Sequence, residues 1–444
     1  MKTEISHIRQ CSQYLDILLR NNPDYGEWLV DEKNISRKFP LTVLYSDLQR
    51  EVESAESFNQ LLRVFRRFKQ RHFLRIGSRD LLGIADLVEA TGQLSDLASV
   101  ALQIGLETLS AKPHLWTSGD DLAFLDYMRG SSPIVVLGLG KLGGHELNYV
   151  SDIDLIFLDS EGEADDSGNR PVLLSRMAHW LSRLLADRFE GDRVFQVDFR
   201  LRPQGKDGIL VPSMGAALDH YLLQGRAWER QMLLKCRPVA GDRSAGNAFN
   251  REVRPFVFRR FLDFQALGEL REMRNMILTE ALRYRPASRQ FDVKLGIGGI
   301  REIEFLIQSM QLIYGGRHLE LDEPNSLKCL EKLSRLRLFP ENTVRELSES
   351  YIFLRRVEHY IQLDQNRQTQ KLPQADDARR RLALAMGFEG DESAFTRAME
   401  EHCSMVHSIF TGLFGEKGED TVSPGTPGDD HVEGLDHFPE LPLA

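Results

Sequence analysis

The sequence predicts a mainly helical α+β protein in which a small mixed β-sheet core sits between N- and C-terminal helical domains. Three observations carry this prediction. Apolar residues keep helical spacing almost throughout residues 1 to about 130. Short β-rich runs bounded by Gly, Ser or Asp follow at 134–137, 153–158 and 194–201. Helical spacing then returns from about 216 to 414. The expected domains are therefore an N-terminal helical domain at 1–130, an α/β core at 131–215, a helical domain at 216–414 and a tail at 415–444.

In the first domain, "ESFNQLLRVFRRFKQRHFLRIG" places Phe58, Leu61, Leu62, Phe65 and Phe68 on one stripe of an amphipathic helix. Its basic residues Arg63, Arg66, Arg67, Lys69 and Arg71 read as a solvated face, because no aromatic–basic surface recurs elsewhere. Between the second and third β runs, Leu173, Met177, Trp180, Leu181, Leu184 and Leu185 mark another helix. In the second helical domain the clearest patterns are "GIREIEFLIQSMQLIY" and "TVRELSESYIFLRRVEHYIQLDQ". The tail carries eight acidic residues against Lys417 alone and is rich in Gly and Pro, so it reads as a disordered end or a linker.

Bulk properties exclude several classes. A chain of 444 residues with 42% hydrophobic and 27% charged residues can build two or three soluble cores. No apolar run approaches the ~18 residues of a membrane span, and the first twenty residues show no export signal. Cys11, Cys236, Cys329 and Cys403 lie far apart, which argues against a zinc site or a disulfide framework and suits a reducing cytoplasm. A net charge of −10 disfavours nonspecific nucleic-acid binding. Neither a nucleic acid nor a membrane is an expected partner.

The chemistry is concentrated in "IVVLGLGKLGGHELNYVSDIDLIFLD", Ile134–Asp159. Gly138, Gly140 and Gly143 match G-x-G-x-x-G, the dinucleotide fingerprint. That reading fails on the next strand. A dinucleotide fold needs a buried, near-continuous apolar strand there, whereas Asp152 and Asp154 project from the same face. Two like charges about 6–7 Å apart are costly to bury unless a cation neutralises them, and carboxylates are the natural ligands of Mg²⁺. Lys141 is followed by Leu142 rather than Ser or Thr, so the turn is not a Walker loop either.

In "RVFQVDFRLRP", Phe195, Val197, Phe199 and Leu201 alternate with Gln196, Asp198, Arg200 and Arg202. Alone, this run reads as a half-solvated strand. Beside Asp-x-Asp, Asp198 becomes a candidate third carboxylate, since three acids on adjacent strands can hold two Mg²⁺ ions about 3.5–4 Å apart for displacement at phosphorus. Arg200 and Arg202 would then offer cationic forks to phosphate oxygens, and the Gly138–Gly144 turn would bring backbone N–H groups to them. This is the active-site plan of the nucleotidyltransferase fold.

The stretch "GLGKLGGHELNYVSDIDLIF" resembles the signature of the glutamine synthetase adenylyltransferase/deadenylylase family. The resemblance continues through "VDFRLRPQGKDGILV", "GRAWERQMLLKCRPVAGD" and "GGIREIEFLIQ". Chains of that family usually carry two homologous halves, one attaching AMP to a tyrosine of glutamine synthetase and the other removing it by phosphorolysis to ADP. Here one such unit is present. "GGIREIEF" is most similar to the N-terminal, deadenylylating half, because the other half typically has an acidic residue where Arg301 stands. The tail after Phe414 falls where an inter-half linker would begin, so the expectation is the N-terminal half of a longer chain or a single-unit relative.

The resemblance implies that Asp152, Asp154 and Asp198 are catalytic metal ligands for Mg²⁺, with Mn²⁺ as the alternative. It also implies that Gly140, Lys141, Gly143, Gly144 and Ser151 line the nucleotide phosphates. Glutamine synthetase is the implied protein substrate, with phosphate, ADP or ATP as small reactants. A PII-type signal protein and a second adenylyltransferase half are further implied partners. Lys294, Arg301 and Glu304, around the Gly298-Gly299 helix start, are substrate-facing candidates; an Arg301–Glu304 ion pair three residues apart is the simpler expectation. Arg355, Arg356, Glu358 and His359 read as structural, Trp228 and Glu229 as packing residues, and His145 lacks a second metal ligand. The alternatives are ATP-dependent transfer of AMP to the tyrosine and a non-catalytic docking module.

Overall fold

The computed structural model describes residues 2–117, 125–126, 133–162, 170–259, 264–283 and 291–414; the tail expected at 415–444 lies outside them. Helices dominate, around one four-stranded sheet. Its strands are β1 (Ile134–Gly138), β2 (Asp152–Asp159), β3 (Gln196–Asp198) and β4 (Arg237–Gly241), in the order β3-β2-β1-β4. β1 runs antiparallel to both β2 and β4, while β2 and β3 are parallel. The glycine turn therefore joins antiparallel neighbours and cannot open the parallel crossover of a dinucleotide fold.

Both faces of the sheet are covered, which explains why β1 and β2 are nearly continuous in Val, Ile and Leu. Ile134, Val136, Ile153, Leu155 and Phe157 face the core shared with the helices Leu87–Ala111 and Arg170–Ala186. Val135, Leu137, Ile156 and Leu158 face a second core with Tyr221, Phe249 and Val253, from the helices Met214–Gln224 and Arg243–Val257.

Two sequence expectations change here. The third strand is only three residues long, because Asp198 Oδ1 accepts from the Arg200 backbone N–H (2.8 Å) and turns the chain out of the sheet. The fourth strand lies beyond residue 215, inside a segment read as helical. It is an edge strand, where the missing N–H of Pro238 is tolerated.

The basic face of the helix Phe58–Leu81 also differs from a solvated one. Its apolar stripe is buried as expected, but Lys69 is only 5% exposed, Arg66 is paired with Glu190, and Arg71 with Glu51 at 2.8 Å. Trp228, expected to pack, is 42% exposed. It lies in the first turn of the helix Ala227–Leu233, where Glu229 is buried, accepting from the Arg226 backbone N–H and meeting His220 Nε2, both at 2.8 Å.

The long helix Glu341–Gln365 fastens the segment between β1 and β2 to the C-terminal helices. Arg355, fully buried, donates to Glu146 O (2.7 Å) and Asn148 Oδ1 (2.6 Å), and Gln362 Oε1 accepts from Val150 N (2.8 Å). Lys235, just before β4, bonds Glu146 and Ser326. Gly143 allows this closeness: a Cβ there would lie 1.8 Å from Lys235 O and 2.6 Å from Gly138 O. Because both obstacles are backbone, Gly143→Ala is predicted to cost about 3 kcal/mol or more in urea unfolding. Gly215→Ala, with open space around it, should shift stability by less than about 1 kcal/mol. Equal effects of the two changes would contradict this packing.

Candidate active site

β2 and β3 pair in register Asp152↔Gln196, Ile153↔Val197 and Asp154↔Asp198. Parallel strands in register carry opposite residues on the same face, so Asp154 and Asp198 are neighbours and Asp152 lies one pleat along. Asp152 Oδ1 is buried without a hydrogen-bond partner. Burial, then Asp198 and Asp152, push the Asp154 carboxyl up to about 6, with Lys294 and Arg200 pulling the other way. Asp198 behaves differently. Burial opposes its charge, but the Arg200 side chain and backbone hold its carboxyl below the usual range, Nε standing 2.7 Å from Oδ2.

Among the described residues no three acidic, His or Cys side chains stand in finished metal-ligating geometry; Asp198 is turned toward Arg200 instead. The donor set nevertheless suits a hard divalent cation. It is all oxygen, it includes one buried unpaired carboxylate oxygen, and its mutual repulsion is what such an ion relieves.

The glycine turn lies against this acid face. Gly140 has φ +52°, and a Cβ on it would approach Asp154 Oδ2 to 3.1 Å. Leu139 N donates to Asp154 O (2.9 Å), and the short helix Gly140–Gly143 that follows has no side-chain N-cap. Gly138 and Gly144 serve packing: Cβ atoms there would meet Val239 Cγ1 at 2.8 Å and Glu146 Oε1 at 2.9 Å. Ser151, half-buried, lines a cavity of about 280 Å³ that also includes Asp152.

Not every candidate side chain reaches this face. Lys141 donates to both Glu358 oxygens (2.9 and 2.8 Å), and burial pushes its ammonium down to about 8 against the pull of Glu358. Arg202 is spent on carbonyls of its own turn, Phe199 O at 3.0 Å, Gly208 O at 3.1 Å and Lys206 O at 2.7 Å, so it braces the loop after β3. The expected Arg301–Glu304 pair does not form. Arg301 reaches Glu280 in the helix Phe264–Ala281, while Glu304 turns toward Lys235 at 3.9 Å. Lys294 is better placed. Half-buried, its ammonium has no hydrogen bond or ion pair among the described residues, and its charge acts on Asp154, Lys141, Glu304 and Glu358.

His145 meets Asp96 at 2.8 Å, a contact between the turn and the helix Leu87–Ala111. Arg355, Glu358 and His359 are fully buried structural groups. Sequence reading missed Glu146 and Lys235 as partners of the turn. Their one signal was a charged residue inside an otherwise apolar stretch, which could not indicate which group would meet it.

Comparison with known proteins identifies the family. Residues 3–252 match the glutamate-ammonia ligase adenylyltransferase family, and residues 271–414 match the GlnD PII-uridylyltransferase family. The chain is similar to proteins described as bifunctional glutamine synthetase adenylyltransferase/adenylyl-removing enzymes. It is 42% identical to that of Nitrosococcus oceani over 386 residues, 86% of this chain and 39% of the relative. It is 39% identical to that of Thioalkalivibrio sulfidiphilus over 410 residues, 90% and 41% of the two chains. For Pseudomonas putida the identity is 37% over 404 residues, 90% and 40%. The match thus spans about two fifths of each of these relatives. Among the described residues no helix is long and apolar enough to cross a membrane. With a family match over residues 3–252, the chain belongs to the glutamate-ammonia ligase adenylyltransferase family of nucleotidyltransferases.

Proposed function

We propose that this chain removes AMP from the adenylylated tyrosine of glutamine synthetase by phosphorolysis, giving ADP and the free tyrosine. The observation that carries the reading is the register of Asp154 against Asp198, with Asp152 and its unpaired oxygen on the same face. The direction is supported by "GGIREIEF" with Arg301, the feature most similar to the deadenylylating half. A cytoplasmic setting, a PII-type regulator and a second nucleotidyltransferase unit are the context this reading implies.

Asp152, Asp154 and Asp198 would hold Mg²⁺, or Mn²⁺, which when bound supplies positive charge to the phosphoryl oxygens. The chain's own residues do the rest. Gly140 leaves room beside Asp154 for a phosphoryl group, where a side chain would fill the space. Lys294 contributes a cation to the same face. Arg200 keeps Asp198 ionised and oriented. The departing tyrosyl oxygen needs no strong acid, since phenol has a pKa of about 10.

The direct test mixes adenylylated glutamine synthetase, this chain, Mg²⁺ and inorganic phosphate and measures ADP. Phosphate-dependent ADP release is expected, falling at least about 100-fold in Asp152→Asn and Asp154→Asn with the fold retained. AMP incorporation from ATP into the unmodified synthetase, with no phosphate-dependent ADP, would reverse the direction.

A second prediction concerns pH without metal. Asp154 titrates near 6 in the folded chain and near the ordinary ~3.9 when unfolded. The folded state therefore holds the extra proton between these values, and this contribution to stability is complete below about pH 4 and lost above about pH 6. In chelator, Asp154→Asn should raise Tm relative to the parent by a few degrees at pH 7.5 and by much less at pH 4.5. A difference that does not vary with pH would contradict the crowding of the three acids.

A further inference from the structure

The cavity that includes Ser151 and Asp152 sits at the N-terminal ends of β2 and β3, where three parts of the chain meet. Lys69 enters from the helix Phe58–Leu81, Arg188 and Arg193 come from the segment before β3, and Arg367 follows the helix Glu341–Gln365. That helix ends at Asn366 with φ +50°, which turns the chain across the opening. Junctions between structural units are preferred places for small-molecule sites.

The cations here are under-used. Lys69 is 5% exposed, yet its ammonium makes one long contact, 3.5 Å to Arg193 O, and stands 5.1 Å from the Phe73 ring centre. No carboxylate lies within ion-pair distance of it among the described residues, and burial pushes its pKa down while the more distant Asp192 pulls it up. The side chains of Arg188 and Arg367 have no hydrogen bond or ion pair among the described residues, and the Arg193 guanidinium donates to Gln196 Oε1 at 2.8 Å. The acids opposing them are Asp152 and Asp192. Asp192 already accepts from Gln70 Nε2 (3.0 Å), Arg193 N (2.8 Å) and Tyr14 OH (3.4 Å). Four cations therefore line one cavity with a single uncommitted carboxylate, Asp152. A buried ammonium with one weak partner is costly unless an anion satisfies it.

We propose that this cavity binds a phosphate dianion beside Asp152, either as free inorganic phosphate or as the terminal phosphate of a nucleoside diphosphate. The role of that phosphate in the reaction rests on the phosphorolysis reading above. In that reaction an oxygen of hydrogen phosphate forms the new bond to the adenylyl phosphorus. The bond to the tyrosyl oxygen breaks, the electron pair leaves with that oxygen, and the proton of hydrogen phosphate ends on the phenol. The same phosphate is then the terminal phosphate of ADP, so one site serves the group before and after transfer.

The test is calorimetric titration of the full chain with inorganic phosphate, ADP and AMP, repeated on Arg367→Gln and Lys69→Met. Arg367 is exposed, so its variant reports on the site without threatening the fold. Phosphate and ADP should bind the parent chain, and each variant should weaken both about tenfold or more while leaving AMP unchanged. Binding of ADP but not of free phosphate, with the same dependence on Arg367, would identify the nucleotide as the source of the group. No binding of either ligand, or affinities unchanged in both variants, would overturn the site. The titration does not read turnover. Arg367-dependent phosphate binding without ADP formation from the adenylylated synthetase would sink the phosphorolysis reading alone. ADP formation with an unaltered KM for phosphate in both variants would sink the cavity assignment alone.

Discussion

Asp154 faces Asp198 across two parallel strands, with Asp152 on the same side, and this crowding of like charge is the constraint around which the molecule is arranged. Burial alone makes such a cluster unfavourable. The chain offsets it locally in two ways. Arg200 takes up Asp198, and the charge of Lys294 acts on Asp154 from the helical side. Neither removes the repulsion at Asp154, whose carboxyl stays near 6, nor satisfies the buried oxygen of Asp152. What is left is a demand for positive charge on one face of the sheet, which the proposed Mg²⁺ site would meet.

The rest of the fold keeps that face rigid. The turn between β1 and β2 rests on Asp154 through Gly140 and is tied to the C-terminal helices by Lys141–Glu358, Lys235–Glu146 and the Arg355 fork. The first two are buried ion pairs, and such pairs add little net stability compared with apolar packing. Their consequence is geometric, because removing one partner strands the other charge in the interior, at a cost of about 3–5 kcal/mol. The turn is thus confined to a single position relative to the helix Glu341–Gln365, and the acid face it borders is held with it. The helical domain participates in the site by fixing its floor.

The acid face was legible in the sequence because its signal is local. Two aspartates at period two inside an apolar strand depart from the burial rule, and that departure is what made them candidates for a cation-binding role. Sheet direction and β4 were not legible. The run Arg237–Gly241 is five residues long and contains proline, and it becomes a strand only because β1 offers it an edge. Partners distant in sequence escaped for the same reason. Lys141 meets a glutamate 217 residues away, and Arg301 prefers Glu280 on a neighbouring helix to Glu304 on its own. Trp228 misled because size and apolarity suggest burial, whereas in its helix Glu229, Arg230 and Leu233 are the buried residues, Glu229 being satisfied by His220 and a backbone N–H.

The most direct measurement is Mn²⁺ binding followed by electron paramagnetic resonance, on the parent chain and on Asp152→Asn, Asp154→Asn and Asp198→Asn. If the three carboxylates form one cation site, the parent binds one or two Mn²⁺ per chain, and each substitution lowers the stoichiometry or weakens binding about tenfold or more. Equal binding by the parent and all three variants would contradict the assignment of this face as the catalytic centre.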